Sequence, residues 1–581
     1  MDRLLMGLLG ALVAFAAGLP ALGDRDFWPP DEARYGEIVQ ARLNGVTSVW
    51  APHSNGVLYP DKPPGYFLII EGFARALGRF DEGVSRLPAV LGGAMCAAAV
   101  GYLSTGAFGA IGALGGILLM ASTVAFSWQL RYTQMDMLVA GLVALMLTAA
   151  YRSGESGSSG WSYVAWLFFG IGMFVKGPLA AVGLVVWVAW CSFTGKHAAF
   201  WNRGSAFGAV TVVACGLWWF YLARESLREL GPDVPSQYFG TMFGTHVLER
   251  VTGGVAHDKP WYAYAYILPA MLLPATPLLL VAWSRSWIRA FSPQARQLLL
   301  FALLWILLPL VLLSVSAGKR SIYLLPLFPA IGVLFAAIVA QAKLRCPSGI
   351  KVWVAAIGLL SSVAGIMVLV LTTWPTFGVD VLTSSLAVIR RLDENQVHDV
   401  LAGAHGRCLT FGGVVLLCGL VVLALSLKGR VITSVISAAA VTLVGMVLFN
   451  ALLAPLGDPF ISRRPIAEQA RLLLAERGSD GPVYYFSHRD EAVPFYLQRV
   501  VREIGNRDRS LSIAPATENA GASSEDPKWE LLQALEEPGS LAFATTKDLS
   551  EHNIELQRDV HELARGRVGS KTIVLIERMK P

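Results

Sequence analysis

Cysteine is scarce in these 581 residues. There are six, at Cys96, Cys191, Cys215, Cys346, Cys408 and Cys418, mostly inside apolar runs and never as a CxxC pair. That pattern excludes a disulfide framework and a zinc knuckle. Charge is thin as well, at 15% of residues against 54% hydrophobic, and mean hydropathy is +0.53. Such a chain is not an ordinary soluble globule; the formal net charge of +6 says little by itself, where the cations sit says more, and no nucleic-acid partner is expected. Internal repeats and low-complexity tracts are also missing. What remains is charge gathered in short clusters between apolar runs of about 20 residues, the mark of a polytopic helical membrane protein.

The apolar runs predict about thirteen spans, near 4–22, 84–103, 107–126, 135–151, 161–175, 178–194, 205–223, 263–283, 297–317, 322–341, 350–373, 408–427 and 431–453. The first starts like a signal peptide behind Arg3 but lacks a small-residue cleavage pattern, and reads as a retained anchor. With the N-terminus inside, short inner loops collect Arg152, Lys196, Arg203, Arg285, Arg289, Arg296, Lys343, Arg345, Lys351, Lys428 and Arg430, with almost no acid beyond Glu155. The segment 63–78 is apolar but short, and reads as an interfacial or re-entrant helix.

The same topology puts a second set of polar residues on the outer side. These are Asp31, Glu32, Arg34, Asp61, Lys62, Arg131, Asp136, Lys176, His257, Asp258, Lys259, Lys319, Arg320 and Tyr323, from six separate loops or helix ends. The outer cations run against the positive-inside trend, so they point to a negatively charged ligand. From about 456 onward charge rises and alternation appears. Residues 482–486, 541–545 and 572–576 read as buried strands, 466–475 and 529–535 as helices, and 515–527 as a loop. The expected layout is a membrane domain over 1–455, with a first outer loop at 23–83, and an outer α/β domain over 456–581.

Each cluster also has a plain reading. Asp31 follows Pro29-Pro30 and opens an amphipathic helix expected to lie on the membrane, with Tyr35, Ile38, Val39 and Arg42 on one face; it could simply cap that helix. A cap does not account for Glu32 and Arg34 beside it. Asp61-Lys62-Pro63-Pro64-Gly65-Tyr66 is a stiff turn that holds the Lys62 ammonium, a compact charge suited to a phosphate oxygen, although a lone lysine at a helix start commonly snorkels. Asp136 near a helix start is favourable on electrostatic grounds alone. Lys176-Gly177-Pro178 is a tight turn whose chemistry explains the glycine and proline but not the lysine. A lone His257 is most often a surface residue; with a carboxylate such as Asp61 it makes half of a divalent-metal site. Lys319, Arg320 and Tyr323 can all donate to an anionic oxygen.

Six ordered motifs carry a resemblance over some 300 residues. They are Asp31-Glu32-Ala33-Arg34-Tyr35, Asp61-Lys62-Pro63-Pro64, Met135-Asp136, Lys176-Gly177, Ala256-His257-Asp258-Lys259-Pro260-Trp261-Tyr262 and Tyr323-Leu324-Leu325-Pro326. In these the chain resembles the polyprenyl-phosphate-dependent membrane glycosyltransferases of class C architecture, in particular the bacterial lipid A aminoarabinose transferases, and more distantly the protein O-mannosyltransferases. The resemblance implies an all-α polytopic membrane protein with a C-terminal soluble α/β domain, acting as a monomer in the bacterial inner membrane with its site on the periplasmic side. It implies transfer of a sugar, 4-amino-4-deoxy-L-arabinose in the lead reading, from undecaprenyl phosphate to lipid A or another envelope acceptor. Asp31, Glu32 and Asp136 are then the candidate catalytic residues, and Lys62, Lys176, Arg320, Tyr323 and Arg34 the candidate phosphate ligands. Asp61 and His257 take the positions of a zinc-binding pair. Two departures stand out: Asp61 replaces the usual glutamate, and Arg320 stands where aminoarabinose transferases tend to be apolar. The rival readings are an O-mannosyltransferase-like enzyme, a flippase of polyprenyl-linked lipids, and a non-catalytic receptor for lipid headgroups.

Overall fold

A computed structural model describes residues 2–45, 47–244, 259–281, 291–316, 318–342, 348–374, 394–487, 490–504, 526–568 and 571–579. Among them, eight helices are long and apolar enough to cross a membrane: Glu82–Ala121, Met135–Ser156, Arg203–Arg228, Pro293–Val315, Ser321–Ala342, Ser348–Thr373, His405–Leu427 and Val431–Ile461. Arg3–Gly18 and Pro178–Thr194 are shorter apolar helices. The chain is a multi-span membrane protein.

Among the described residues the apolar runs fall mainly on helix, with differences of detail. The two runs expected at 84–103 and 107–126 form one element, Glu82–Ala121, in which Gly109 alone leaves helical geometry at φ 73°. A residue with a Cβ resists that conformation, so the glycine is where the chain can turn. The run at 263–283 is two short helices, Ala263–Met271 and Thr276–Val281. The run at 322–341 begins as a 3₁₀ segment, Ser321–Leu327, before the α-helix Phe328–Ala342.

Depth in the bundle follows side-chain size. Gly92 and Gly141 let Glu82–Ala121 and Met135–Ser156 pack backbone to backbone, and Ser321–Ala342 is almost wholly enclosed. Arg203–Arg228 lies at the edge and turns Phe207, Val210, Val213, Leu217 and Trp218 outward, as a helix does where the surrounding solvent is hydrocarbon.

The loop expected on the outer side, between the first two apolar helices, holds two helices, Asp31–Leu43 and Gly65–Leu77, joined through a small hairpin of β1 (His53–Ser54) and β2 (Val57–Leu58). The segment expected to be interfacial at 63–78 is the second of these helices. Asp31–Leu43, expected to be amphipathic, is buried on more than its apolar face. Tyr35, Ile38, Val39 and Arg42 are buried, but so are Ala33 and Glu37 away from that face. Other protein covers both sides of this helix.

Part of that cover comes from the chain after Asp458. There β3 (Val483–Phe486), β4 (Val501–Ile504), β5 (Leu541–Thr545), β6 (Val560–Val568) and β7 (Lys571–Arg578) form one mixed sheet in the order β4-β3-β5-β7-β6. β3 pairs in parallel with β4 and β5, while β7 runs antiparallel to β5 and β6. Helices Arg464–Glu476 and Pro527–Ala534 fall where periodicity put helices, whereas β4 and β6 were not read as strands. Residues 515–525 of the expected loop lie outside the described residues.

This unit is tied to the first outer loop. Phe27 sits in its core, 4.8 Å from Phe495 between ring centroids, and the Phe27 amide donates to the Tyr496 hydroxyl at 2.8 Å. Asn55 exchanges two hydrogen bonds with the Val501 backbone, at 2.6 and 2.8 Å. Arg34 pairs with Glu491 at 2.5 Å, and Arg464 with Asp26 at 3.0 Å.

Candidate active site

Asp31 is the first residue of its helix, and its carboxylate does not cap it. The cap position is Pro30, which makes no side-chain bond, and the acids of the first turn suit the positive end of the helix dipole. Asp31 Oδ2 instead accepts from Gln134 Nε2 at 2.7 Å and Arg320 Nη2 at 3.0 Å. Burial works against a charge there, but the Arg320 guanidinium and the Gln134 amide outweigh it and hold the carboxyl below its usual range.

The partners come from distant elements. Gln134 caps Met135–Ser156, and Arg320 caps the 3₁₀ segment that carries Tyr323. That segment is held by Trp305, whose indole N–H donates to the Pro326 carbonyl at 2.8 Å, and by the Tyr264 hydroxyl, which donates to the Arg320 carbonyl at 3.3 Å. Lys176 ends the helix Ser159–Lys176 and ion-pairs with Asp136, in the first turn of Met135–Ser156. Its ammonium also lies 5.0 Å above the Tyr323 ring. The helix carrying Lys176 meets the first outer loop at Gly65, where a Cβ would fall 2.4 Å from the Phe174 carbonyl oxygen. Only glycine permits that approach.

Asp31, Arg320, Tyr323, Lys176 and Asp136 therefore form one chain of contacts. Other expected residues sit elsewhere. Glu32, a candidate catalytic residue, is fully buried and fully engaged. It pairs with Arg25 at 2.7 Å and Arg86 at 2.9 Å, and accepts from the Thr133 and Trp28 amides at 3.0 and 3.1 Å. That network clamps the loop to Arg86 and to the segment before Met135–Ser156. Arg34, a candidate phosphate ligand, is spent on Glu491. Lys62 donates to the Asp61 carbonyl at 3.0 Å, so the turn closes on itself as its prolines suggest. Asp61 adds to the effect of burial in pushing the Tyr59 hydroxyl well above its ordinary value, as does Asp31 more weakly. Both carboxylates therefore face the same tyrosine.

His257 lies outside the described residues. Zinc needs three or four ligands, and among the described residues no three His, Cys, Asp or Glu side chains gather to hold a metal. Asp61 supplies one carboxylate.

Two residues that the sequence reading quoted but assigned no role belong to the cluster. Gln134 clamps Asp31, and the buried Tyr66 hydroxyl has no hydrogen-bond partner among the described residues. Burial first, then Glu32, Asp136 and Asp31, push that hydroxyl well above its ordinary value, so it is a donor set among carboxylates. Position next to a quoted motif was the available signal: Gln134 precedes Met135-Asp136, and Tyr66 follows Pro63-Pro64-Gly65.

A family model described as dolichyl-phosphate-mannose-protein mannosyltransferase matches residues 61–219. The undecaprenyl phosphate-alpha-4-amino-4-deoxy-L-arabinose arabinosyl transferase of Pseudomonas aeruginosa is 30% identical over 348 residues, 57% of this chain and 60% of that protein. A second such transferase, from Pseudomonas fluorescens, is 28% identical over 381 residues, covering 63% of this chain and 65% of the relative. The chain thus spans about 60% of the length of these curated relatives. A crystal structure of ArnT from Cupriavidus metallidurans, bound to undecaprenyl phosphate, superposes with a TM-score of 0.72 at 21% identity, over 98% of this chain and 97% of that one. The fold is that of ArnT. The likeness extends through the final sheet as well as the bundle, because both chains are covered almost end to end.

Proposed function

We propose that this chain is a glycosyltransferase that moves a sugar, 4-amino-4-deoxy-L-arabinose in the lead reading, from an undecaprenyl-phosphate donor to lipid A or another envelope acceptor. The reading places thirteen spans in the bacterial inner membrane and the site, with an α/β domain over 456–581, on the periplasmic face. The observation that carries it is the convergence of Asp31, Arg320, Lys176, Asp136 and Tyr323 from four separate pieces of chain. Cations and hydroxyl donors held beside a carboxylate suit a reaction whose leaving group is a phosphate.

The acceptor oxygen bonds to the anomeric carbon as the carbon–oxygen bond to phosphate breaks, and the electron pair leaves with the polyprenyl phosphate. Arg320, Lys176, Tyr323 and Lys62 stabilise the charge that the phosphate gains, which is where preorganised donors lower a barrier most. Arg320 is the most open of the pairs' cations, with its side chain about a third exposed, so an arriving phosphate meets it first. Such a phosphate competes with Asp31 for Arg320. Once released, the Asp31 carboxylate is free to orient sugar or acceptor.

An acceptor phosphate brings no proton that must be removed, which suits a carboxyl held below its usual range. The second reading, an O-mannosyltransferase-like enzyme, is favoured by the match over residues 61–219. It requires Asp31 to take a proton from a hydroxyl, and hence to rise in basicity once Arg320 has turned to the donor. A divalent ion shared by Asp61 and His257 remains part of the proposal, but one described carboxylate is too little to route a step through it.

The experiment is turnover in nanodiscs, with undecaprenyl-phosphate sugars and either lipid A or peptide acceptors, read by mass spectrometry. Product on lipid A supports the lead reading and product on peptide the second. Turnover at the wild-type rate by both Asp31→Asn and Lys62→Ala removes the proposed site.

A further inference from the structure

Behind Glu32 lies a feature that the transfer reaction does not use. Arg25, Arg86 and Arg131 line one small cavity together with Ala21, Leu22, Trp128 and Asn450, with room for about one water-sized particle. All three arginines are more than nine-tenths buried. The lining has three guanidinium groups and no carboxylate. Glu32 pairs with Arg25 and Arg86 from outside the lining, but among the described residues no carboxylate lies within ion-pair distance of Arg131.

Arg131 Nη2 donates to the Ala21 carbonyl at 2.8 Å, while its buried Nη1 has no partner among the described residues. Leaving a buried charge uncompensated is expensive. Burial first, then Arg86 and Arg25 close by, draw Arg131 down to about 10, with Asp24 opposing them only in part. A neighbouring anion would oppose that shift.

We propose that this cavity binds one small monovalent anion of the size and charge of chloride, held by Arg131 Nη1 with Arg25 and Arg86 around it. The space suits a single particle near the size of water, which excludes a phosphate group or a lipid headgroup carboxylate. Water would fill the space and satisfy the N–H, but it would leave Arg131 without a counter-ion beside Arg25 and Arg86, which share the single carboxylate of Glu32. The anion would brace the segment after Trp128 against the end of the first helix. Thr133 and Gln134, which hold Glu32 and Asp31, are part of that segment, so the anion supports the candidate site without entering it.

The test needs no sugar donor. The purified full chain in nanodiscs is melted in chloride, bromide, gluconate and sulfate salts at equal ionic strength. Wild type should melt several degrees higher in chloride and bromide, with saturation, and Arg131→Met should melt at the same temperature in all four salts. Bromide soaked into crystals of the wild type should give an anomalous peak among the three arginines, an outcome that stands even if Arg131→Met fails to fold. Equal wild-type melting in the four salts, or a cavity that holds only water in bromide, overturns the proposal.

Discussion

Arg320 Nη2 stands 3.0 Å from Asp31 Oδ2, across 289 residues of sequence, and this pair joins the first outer loop to the cap of a span deep in the bundle. Asp31→Asn keeps the shape and removes the charge. Turnover should fall by about 10²-fold or more, with donor binding retained, as a KM-against-kcat split would show. Arg320→Gln should cost about 10²–10³-fold and alter the pH profile. Without its guanidinium, the buried Asp31 carboxyl rises from its depressed position. The acid limb of the rate profile should therefore lie at higher pH in the variant than in the wild type. Identical profiles for the two proteins would show that Arg320 does not set the charge on Asp31.

The Asp136–Lys176 pair is nearly closed to solvent. Removing one partner leaves the other as a buried lone charge, at a cost of about 3–5 kcal/mol. Asp136→Asn and Lys176→Met should each lower the melting temperature markedly, and the double variant should melt higher than either. The double variant should still be inactive, since Lys176 is then missing beneath Tyr323. If the double variant melts lower than both singles, each residue stabilises through other contacts.

That Asp31, Asp136, Lys176 and Arg320 would gather at one end of the spans was legible in the sequence; the partner of each charge was not. Cation bias and apolar runs report how the chain threads the bilayer, so Asp31, Asp136, Lys176 and Arg320 could be expected at one face. Pairing depends on helix rotation and tilt, which hydropathy does not carry. That is why Asp136 and Lys176, quoted separately, turned out to be each other's partner. It is also why Arg34, three residues from Asp31 in the same motif, turned away to Glu491 in the distant tail. The partners of Glu32 were hidden for a related reason. Its anchors Arg25 and Arg86 lie outside the quoted motifs, and a carboxylate beside a candidate base looks the same in sequence whether it serves chemistry or packing. The helix Asp31–Leu43 showed an amphipathic pattern, but nothing local announced that the tail would cover its second side.

Glu32 gives the acid end of the stability curve. Burial alone would raise its carboxyl, but Arg86 and Arg25 reverse that and hold it below the ordinary 4.5. The folded state therefore binds fewer protons than the unfolded chain just below that value. Its contribution is complete above about pH 4.5 and is lost as pH falls through the lower folded value. Melting temperature in detergent should be level from neutral pH to about 5 and then fall. Glu32→Gln should melt lower at neutral pH by the equivalent of about 3–5 kcal/mol, because Arg25 and Arg86 lose their counter-charge, and its acid slope should be shallower. A Glu32→Gln protein that melts with wild type but turns over slowly would return Glu32 to the catalytic set.

Tyr496 tests how firmly the final sheet is coupled to the first outer loop. Its hydroxyl accepts from the Phe27 amide at 2.8 Å and donates to Glu82 Oε1 at 3.1 Å, both in buried surroundings. Tyr496→Phe keeps the ring that packs on Phe495 but strands the Phe27 N–H, at a cost of about 1–3 kcal/mol. Asn55→Ala cuts a separate tie, the paired bonds to the Val501 backbone. Each single variant should lower the melting temperature by a few degrees and slow turnover modestly, because the loop that carries Asp31 is held from this side. Combined, they should expose the chain after Asp458 to limited proteolysis while the bundle stays intact. Protease resistance of the double variant equal to wild type would mean that the apolar contact through Phe27 is sufficient by itself, and that the two polar ties serve alignment rather than attachment.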